Sequence, residues 1–294
     1  MTCVRRIRLD LAYDGTQFSG WAAQPGQRTV EGVLTEALAT VLREDVRLTV
    51  AGRTDAGVHA AGQVAHFDCS ADAWLALPGR SDRAPADALI DRLHGIMTRG
   101  GVPPKSSDVV VHRAEEVSRD FDARFAAIGR SYRYRITDLS AGGFDPLTRH
   151  CRWWVREHLA ADAMQAAADH LIGEWDFAAL CNPREGATTI RRLLTCAVTR
   201  SEAGIEIDLA ADAFCHSMVR SIVGCLVEVG RGKKSPDWMG EVLARKNRSL
   251  AAAVAPAHGL TLTAVRYPPP EQWAAQQEAT RQVRTSAAGR GSAD

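Results

Sequence analysis

The 294-residue sequence has no excess of either charge: 36 Lys and Arg stand against 35 Asp and Glu, a formal net charge of +1. That balance argues against a histone-like or ribosomal-tail protein, whose pull on phosphate comes from a strong basic surplus. It leaves room for a nucleic-acid binder whose positive charge is local. No stretch approaches the roughly 20 apolar residues of a membrane span, so no membrane association is expected. The start, Met1 to Arg6, has no apolar signal core and runs straight into a strand pattern, which predicts a cytoplasmic chain. Seven cysteines lie scattered at positions 3, 69, 151, 181, 196, 215 and 225, with no C-x-x-C pair. They read as reduced thiols, not as a disulfide frame or zinc site. The nine histidines show no metal-ligand spacing such as H-E-x-x-H, so no metal is expected.

What is present is enough apolar material, 46% of residues, to bury a core in one large domain or two smaller ones. Ile7, Leu9, Leu11 and Tyr13 alternate with polar residues, the period of a half-buried strand. Thr29 is a plausible N-cap, and Val30 through Leu42 follow helical spacing. Strands are predicted at Val46–Val50 and Gln63–Asp68. Residues 77–107 are punctuated by Pro and Gly and read as an elaborated loop with one helix, Ala86–Met97. Strands resume at Val109–Val111 and Ser131–Ile136. Ala141-Gly142-Gly143 followed by Asp145-Pro146 marks the expected domain boundary. Beyond it, helices at 159–171, 218–226 and 238–243 alternate with strands near 194–198, 205–209 and 260–264. The order predicts an α+β fold: two similar lobes with mainly antiparallel sheets flanked by helices, and a catalytic cleft between them. Residues 1–140 form the N-terminal lobe, 141–270 the C-terminal lobe, and 271–294, polar and small, a flexible tail.

Four segments carry candidate chemistry. Gly52-Arg53-Thr54-Asp55-Ala56-Gly57-Val58-His59 follows a strand, with two glycines around an Arg-Thr-Asp. A carboxylate on such a loop can act as nucleophile or base, held ionised by a cation. A turn in which Asp55 caps backbone amides is the plainer reading of the spacing alone. In Arg130-Ser131-Tyr132-Arg133-Tyr134-Arg135, aromatics share one strand face and arginines the other; five arginines fall between Arg119 and Arg135, Arg124 among them. Such a strand can stack a base and hold phosphate, or it can simply turn two tyrosines into a core. Phe214 to Gly224 has the spacing of a buried helix, interrupted by Arg220, with His216 before it. A buried arginine is costly unless paired; one on the helix rim reaches water. Arg231-Gly232-Lys233-Lys234 supplies candidate phosphate contacts.

Together these segments resemble the tRNA pseudouridine synthase A family. Gly52 to His59 is similar to its catalytic motif nearly letter for letter. Tyr13-Asp14-Gly15, Phe18 and Gly20-Trp21 resemble its opening. Phe121-Asp122-Ala123-Arg124-Phe125 with Arg130 to Tyr134, then Phe214 to Gly224, resemble its second and third motifs. Ala255-Pro256-Ala257-His258-Gly259-Leu260 resembles its closing strand. The likeness spans about Arg5 to Tyr267. It departs at Leu93-His94-Gly95-Ile96, where the family has an Asn-rich segment, and at Ser217, where it often has His or Asn.

The resemblance implies an isomerase that converts uridines 38, 39 and 40 of the tRNA anticodon stem-loop to pseudouridine, as a homodimer without cofactor. Asp55 is then the essential carboxylate, Tyr132 stacks on the uracil, Arg220 pairs with Asp55, and Arg53 helps flip or replace the nucleotide. Arg124, Arg130, His216, Lys233 and Lys234 are further candidate RNA contacts. The reaction breaks the bond from ribose to N1 and rejoins the uracil through C5, so it needs no redox or phosphoryl cofactor. No Walker loop or G-x-G-x-x-G turn is present. The catalytic motif does not encode the RNA target, so another target, or a silent RNA binder on the same scaffold, are the alternatives. A glycosidase would need two flanking carboxylates, and the motif offers one.

Overall fold

The computed structural model describes residues 3–99, 101, 103–182 and 188–286. They fall into two compact units: residues 3–127 with 265–281, and residues 128–264 with 282–286. Both are α+β, as the alternating patterns predict.

In the first unit, β1 (Val4–Tyr13) buries Ile7, Leu9, Leu11 and Tyr13 and leaves the intervening residues half open. Its partners on either side are antiparallel: β3 (His59–Ser70) and β4 (Val109–Val117). α1 (Val30–Leu42) begins where Thr29 caps it, the Gly32 N–H donating to Thr29 Oγ1 at 3.2 Å. Leu34 and Leu38, one turn apart on α1, are fully buried, each worth roughly 2–3 kcal/mol of transfer free energy. β2 keeps only Thr49–Val50 of the expected strand, paired with His66 and Ala65 of β3. α2 (Ala71–Ala76) is capped by Ser70, and α3 is Pro85–Met97, the single helix expected in the 77–107 stretch.

In the second unit, β5 (Gly129–Thr137) runs antiparallel to β9 (Gly204–Ala211), which pairs in turn with β8 (Ile190–Ser201), and β8 with β7 (Gly173–Asp176). The two-residue β6 (Trp153–Trp154) is parallel to β5. α4 (Ala161–Asp169), α5 (Met218–Gly230) and α6 (Trp238–Arg245) complete the unit with β10 (Leu260–Arg266) beside β5.

Two boundaries differ from the sequence reading. The chain leaves the first unit at Ala127, before β5, and not at the Gly142-Gly143 turn. β5 carries the spacing of any strand, and only its pairing with β9 assigns it to the second unit. The tail from Glu271 also departs from the reading: α7 (Trp273–Ser286) is helical. Trp273 is buried against Phe121, ring centroids 4.9 Å apart, and its indole N–H donates to the Pro268 carbonyl at 3.0 Å. One buried tryptophan outweighs the polarity of the residues after it. Residues 287–294 lie outside the described residues.

Candidate active site

The loop between β2 and β3 holds Asp55, half-buried, beside exposed Arg53 and buried Thr54. Thr54 Oγ1 lies 2.8 Å from Tyr13 Oη, at the end of β1. Gln63, fully buried on β3, donates from Nε2 to the Gly52 carbonyl at 2.8 Å and to Tyr13 Oη at 3.2 Å. The Thr54 carbonyl accepts the Trp21 N–H at 3.0 Å, and the Phe18 carbonyl accepts the Gly57 N–H at 3.3 Å. Thus the Tyr13 and Phe18-to-Trp21 segments, far upstream in sequence, form the wall that holds the Asp55 loop. Gly20 makes this close approach possible: its φ is +92°, and a Cβ there would come within 2.9 Å of the Thr54 carbonyl oxygen. Of the two glycines around Asp55, Gly57 has the left-handed φ of +77°. Gly52 does not, and a Cβ on it would meet nothing within 4 Å. It leaves the loop open on that side, where a ligand can come near.

His59 closes the loop. Its Nδ1 accepts the Gly15 N–H at 3.1 Å and lies 3.1 Å from Asp14 Oδ1. The sequence reading names none of Tyr13, Gln63 and His59 as site residues, although Tyr13 stands in the opening motif and His59 ends the motif that begins at Gly52; Gln63 stands in none.

In the second unit, β5 divides its two tyrosines. Tyr134 is fully buried, donates to the Pro256 carbonyl at 2.8 Å, and has its phenol pushed well up by burial. A Cβ on Gly259 would come within 2.5 Å of its ring, so the Pro256-to-Gly259 turn seals Tyr134 in the core. Tyr132 stays half-buried, its ring edge-on to Phe214 with centroids 5.1 Å apart. Only Tyr132 therefore offers an aromatic face. The arginine face between them is largely neutralised: Arg133 pairs with Asp208 at 2.8 Å, and Arg135 with Glu206 at 3.1 Å, both acids on β9. Arg130 donates to the Asp212 carbonyl at 3.1 Å.

Arg220 sits in the first turn of α5, half-buried. Its Nε donates to the Ala255 carbonyl at 2.7 Å, while its own carbonyl accepts the Ala255 N–H at 3.1 Å. Its charge reaches the Tyr134 phenol. The closing segment Ala255-Pro256 thus fixes both side chains. His216 is exposed, and its carbonyl accepts the Asn182 N–H at 3.0 Å. Lys233 and Lys234 lie beyond the last turn of α5, about 15 Å along the axis from Arg220. Lys233 pairs loosely with Glu228 at 3.8 Å, and Lys234 rests over the Trp238 ring at 5.2 Å. They form a separate basic end. In the first unit, Arg124 is exposed with its guanidinium over Phe125 at 5.3 Å, whereas Phe121 and Ala123 of the same motif are core.

Among the described residues, no group of three His, Cys, Asp or Glu could hold a metal ion, and no helix is long and apolar enough to cross a membrane.

The motifs thus supply Asp55 on a braced loop in the first unit, and the Tyr132 face and a partly buried Arg220 in the second. The family model for tRNA pseudouridine synthase matches residues 11–87 and 167–268. The first segment carries Arg53 and Asp55; the second carries His216, Arg220, Lys233 and Lys234. Arg124, Arg130 and Tyr132 fall between them. The chain belongs to this family. It is 51% identical over 281 residues to tRNA pseudouridine synthase A of Frankia casuarinae, covering 95% of both chains. It is 49% identical over 288 residues to the protein of that name from Leifsonia xyli subsp. xyli, covering 95% of this chain and 98% of the relative. The Mycobacterium leprae protein of that name is 44% identical over 281 residues, covering 96% of each.

Proposed function

We propose that this chain, an isomerase of the tRNA pseudouridine synthase family, acts on uridines 38, 39 and 40 of the tRNA anticodon stem-loop, in the cytoplasm, as a homodimer. Asp55 is the essential carboxylate. The observation that carries the reading is its loop: a half-buried Asp55 braced through Thr54 to Tyr13, with exposed Arg53 and an open Gly52 beside it. Extruding a base costs a few kcal/mol. Stacking on Tyr132 returns about 1–3 kcal/mol, and Arg53 fills or holds the place the nucleotide leaves. Arg220 serves as a further site cation. Arg124, Arg130, His216, Lys233 and Lys234 are proposed contacts to the RNA.

Asp55 then acts on the sugar, by addition to C1′ or by removing the C2′ proton. The N1–C1′ bond breaks, the uracil turns, the C5–C1′ bond forms, and the C5 proton leaves to Tyr132 or Asp55 while N1 gains one. Product and substrate are isomers, so nothing else is consumed. Apolar side chains exposed around β7 and β8, namely Ile172, Trp175, Ile190 and Leu194, support a second copy of the chain.

The test maps modified positions in tRNA from a deletion strain complemented with wild type or Asp55→Ala. Pseudouridine at 38, 39 and 40 should return only with wild type, while the purified mutant still binds tRNA. Return of those positions with Asp55→Ala would sink the assignment of Asp55, and their absence with wild type would sink the substrate.

A further inference from the structure

Cys181 and Cys215 are far apart in sequence, and no spacing rule pairs them. The fold sets them together. The Asn182 N–H donates to the His216 carbonyl at 3.0 Å, and Asn182 Nδ2 donates to Ser217 Oγ at 3.3 Å, so the two cysteine-bearing segments lie side by side. The Cys215 thiol faces the Thr188 and Thr189 carbonyls at 3.9 and 4.0 Å, and the two thiols are near enough for each to act on the other's ionisation. Cys181 is buried and Cys215 half-buried. The positive charge of Arg191 reaches both sulfurs, and that of Arg248 reaches Cys181.

We propose that Cys181 and Cys215 are a redox modification site, oxidised by a hydroperoxide to a disulfide that turns the enzyme off reversibly. The accessible member attacks and the buried member resolves. The neighbouring Cys181 thiol, helped by Arg191 against burial and the charges of Asp176 and Asp212, holds Cys215 below the ordinary thiol range, while Cys181 is pushed well above it. Reactive thiolates occur in such electropositive, partly exposed places. The Cys215 thiolate attacks one peroxide oxygen. An S–O bond forms, the O–O bond breaks, and the leaving hydroxide takes the thiol proton as water. Cys181 sulfur then attacks Cys215 sulfur. The S–S bond forms, the S–O bond breaks, and a second water carries away the Cys181 proton. Two electrons pass from the thiols to the peroxide. A dithiol reductant reverses the change, and a reducing compartment keeps the pair open at rest.

The link to activity rests on the function proposed above. Cys215 adjoins Phe214, whose ring braces Tyr132, and precedes Ser217, which holds a left-handed φ of 62° at the start of the helix carrying Arg220. A bond drawn across Cys215 moves these supports together.

The full-length protein is treated with hydrogen peroxide, then examined by non-reducing peptide mapping, intact mass and tRNA isomerisation. The expected product is lighter by two hydrogen atoms, has Cys181 and Cys215 peptides joined, and has lost most of its isomerisation until dithiothreitol restores it. In Cys181→Ser, no crosslink forms and a sulfenic acid on Cys215 is trapped by a dione probe; Cys215→Ser yields neither. Absence of the crosslink, or a different pair joined, would overturn the site. A crosslink with undiminished isomerisation would overturn the switch. Mapping and mass do not depend on activity, so an inactive untreated protein indicts the functional reading and leaves the thiol result standing.

Discussion

Thr54 ties the Asp55 loop to two other segments at once: its hydroxyl meets Tyr13, and its carbonyl holds the Trp21 N–H. Tyr13 in turn accepts from Gln63, which also holds the Gly52 carbonyl. Placement of a reacting group to a fraction of an ångström is worth orders of magnitude in rate, so this small network is where the loop's precision resides. Tyr13→Phe keeps the ring and removes the hydroxyl, leaving buried Thr54 and Gln63 each short of a partner. It should cost about 1–2 kcal/mol of stability and lower kcat about tenfold or more, with KM for tRNA little changed. Steady-state kinetics beside a denaturant titration would separate the two effects, and an unaltered kcat would show that the loop holds its shape without Tyr13. Asp55, Tyr132 and Arg220 are candidates because the order of the motifs resembles the family; spacing alone gives each a plainer reading. Their supports were not legible in that way. Gln63 reads as one polar residue in a strand, and nothing in its neighbours tells that it is fully buried and answers to a backbone carbonyl eleven residues away.

Elements were legible where a single face is buried. β1 and α1 match their patterns because each turns one apolar face to the core, and Thr29 caps α1 as its side chain predicts. β3 was underestimated. It runs from His59 to Ser70 and is buried on both faces from Gln63 to Phe67, so no period-two alternation marks where it begins and ends. α7 was missed for the opposite reason. Its composition is polar, and its anchorage is one residue, Trp273, wedged in the cluster of Phe121, Ala123, Ala126, Val64 and Ala51. That cluster underlies the start of the Asp55 loop, since Ala51 belongs to it. Trp273→Ala should cost about 3 kcal/mol. The denaturant midpoint should fall while the m-value holds. A midpoint that stays put would mean that α7 is only draped over the first unit.

For the molecule as a whole, the balanced charge of +1 becomes a matter of pairing. Arg133, Arg135, Arg200 and Arg231 are each held by carboxylates; Arg53, Arg124, Lys233 and Lys234 are exposed, Arg124 over the Phe125 ring and Lys233 beside Glu228. Stability also carries a buried titrating group. His66 accepts the Ala123 N–H at Nδ1, 3.1 Å away, and burial together with the Arg6 guanidinium lowers its pKa to about 4; Asp122 and Asp68 oppose this. Between about pH 6.5 and 4 the unfolded chain binds a proton that the native chain refuses. Native stability therefore falls as pH falls through that window, by about 3 kcal/mol at most from this group. Its contribution is flat at neutral pH and above. His66→Gln, which can still accept the Ala123 N–H, should flatten the pH dependence of unfolding free energy between pH 6.5 and 4. An identical slope in the variant would assign it elsewhere.

Local pattern and residue order by themselves determined the α+β class, most element positions, and the carboxylate, tyrosine and arginine worth testing, because periodicity and motif type are properties of neighbours along the chain. The tertiary structure alone decided which strand belongs to which unit, that Tyr134 is core while Tyr132 offers a face, that Arg133 and Arg135 are neutralised, and that two scattered cysteines meet. Each of these depends on a partner brought from far along the chain, and burial, pairing and proximity are energies between segments that no local spacing records.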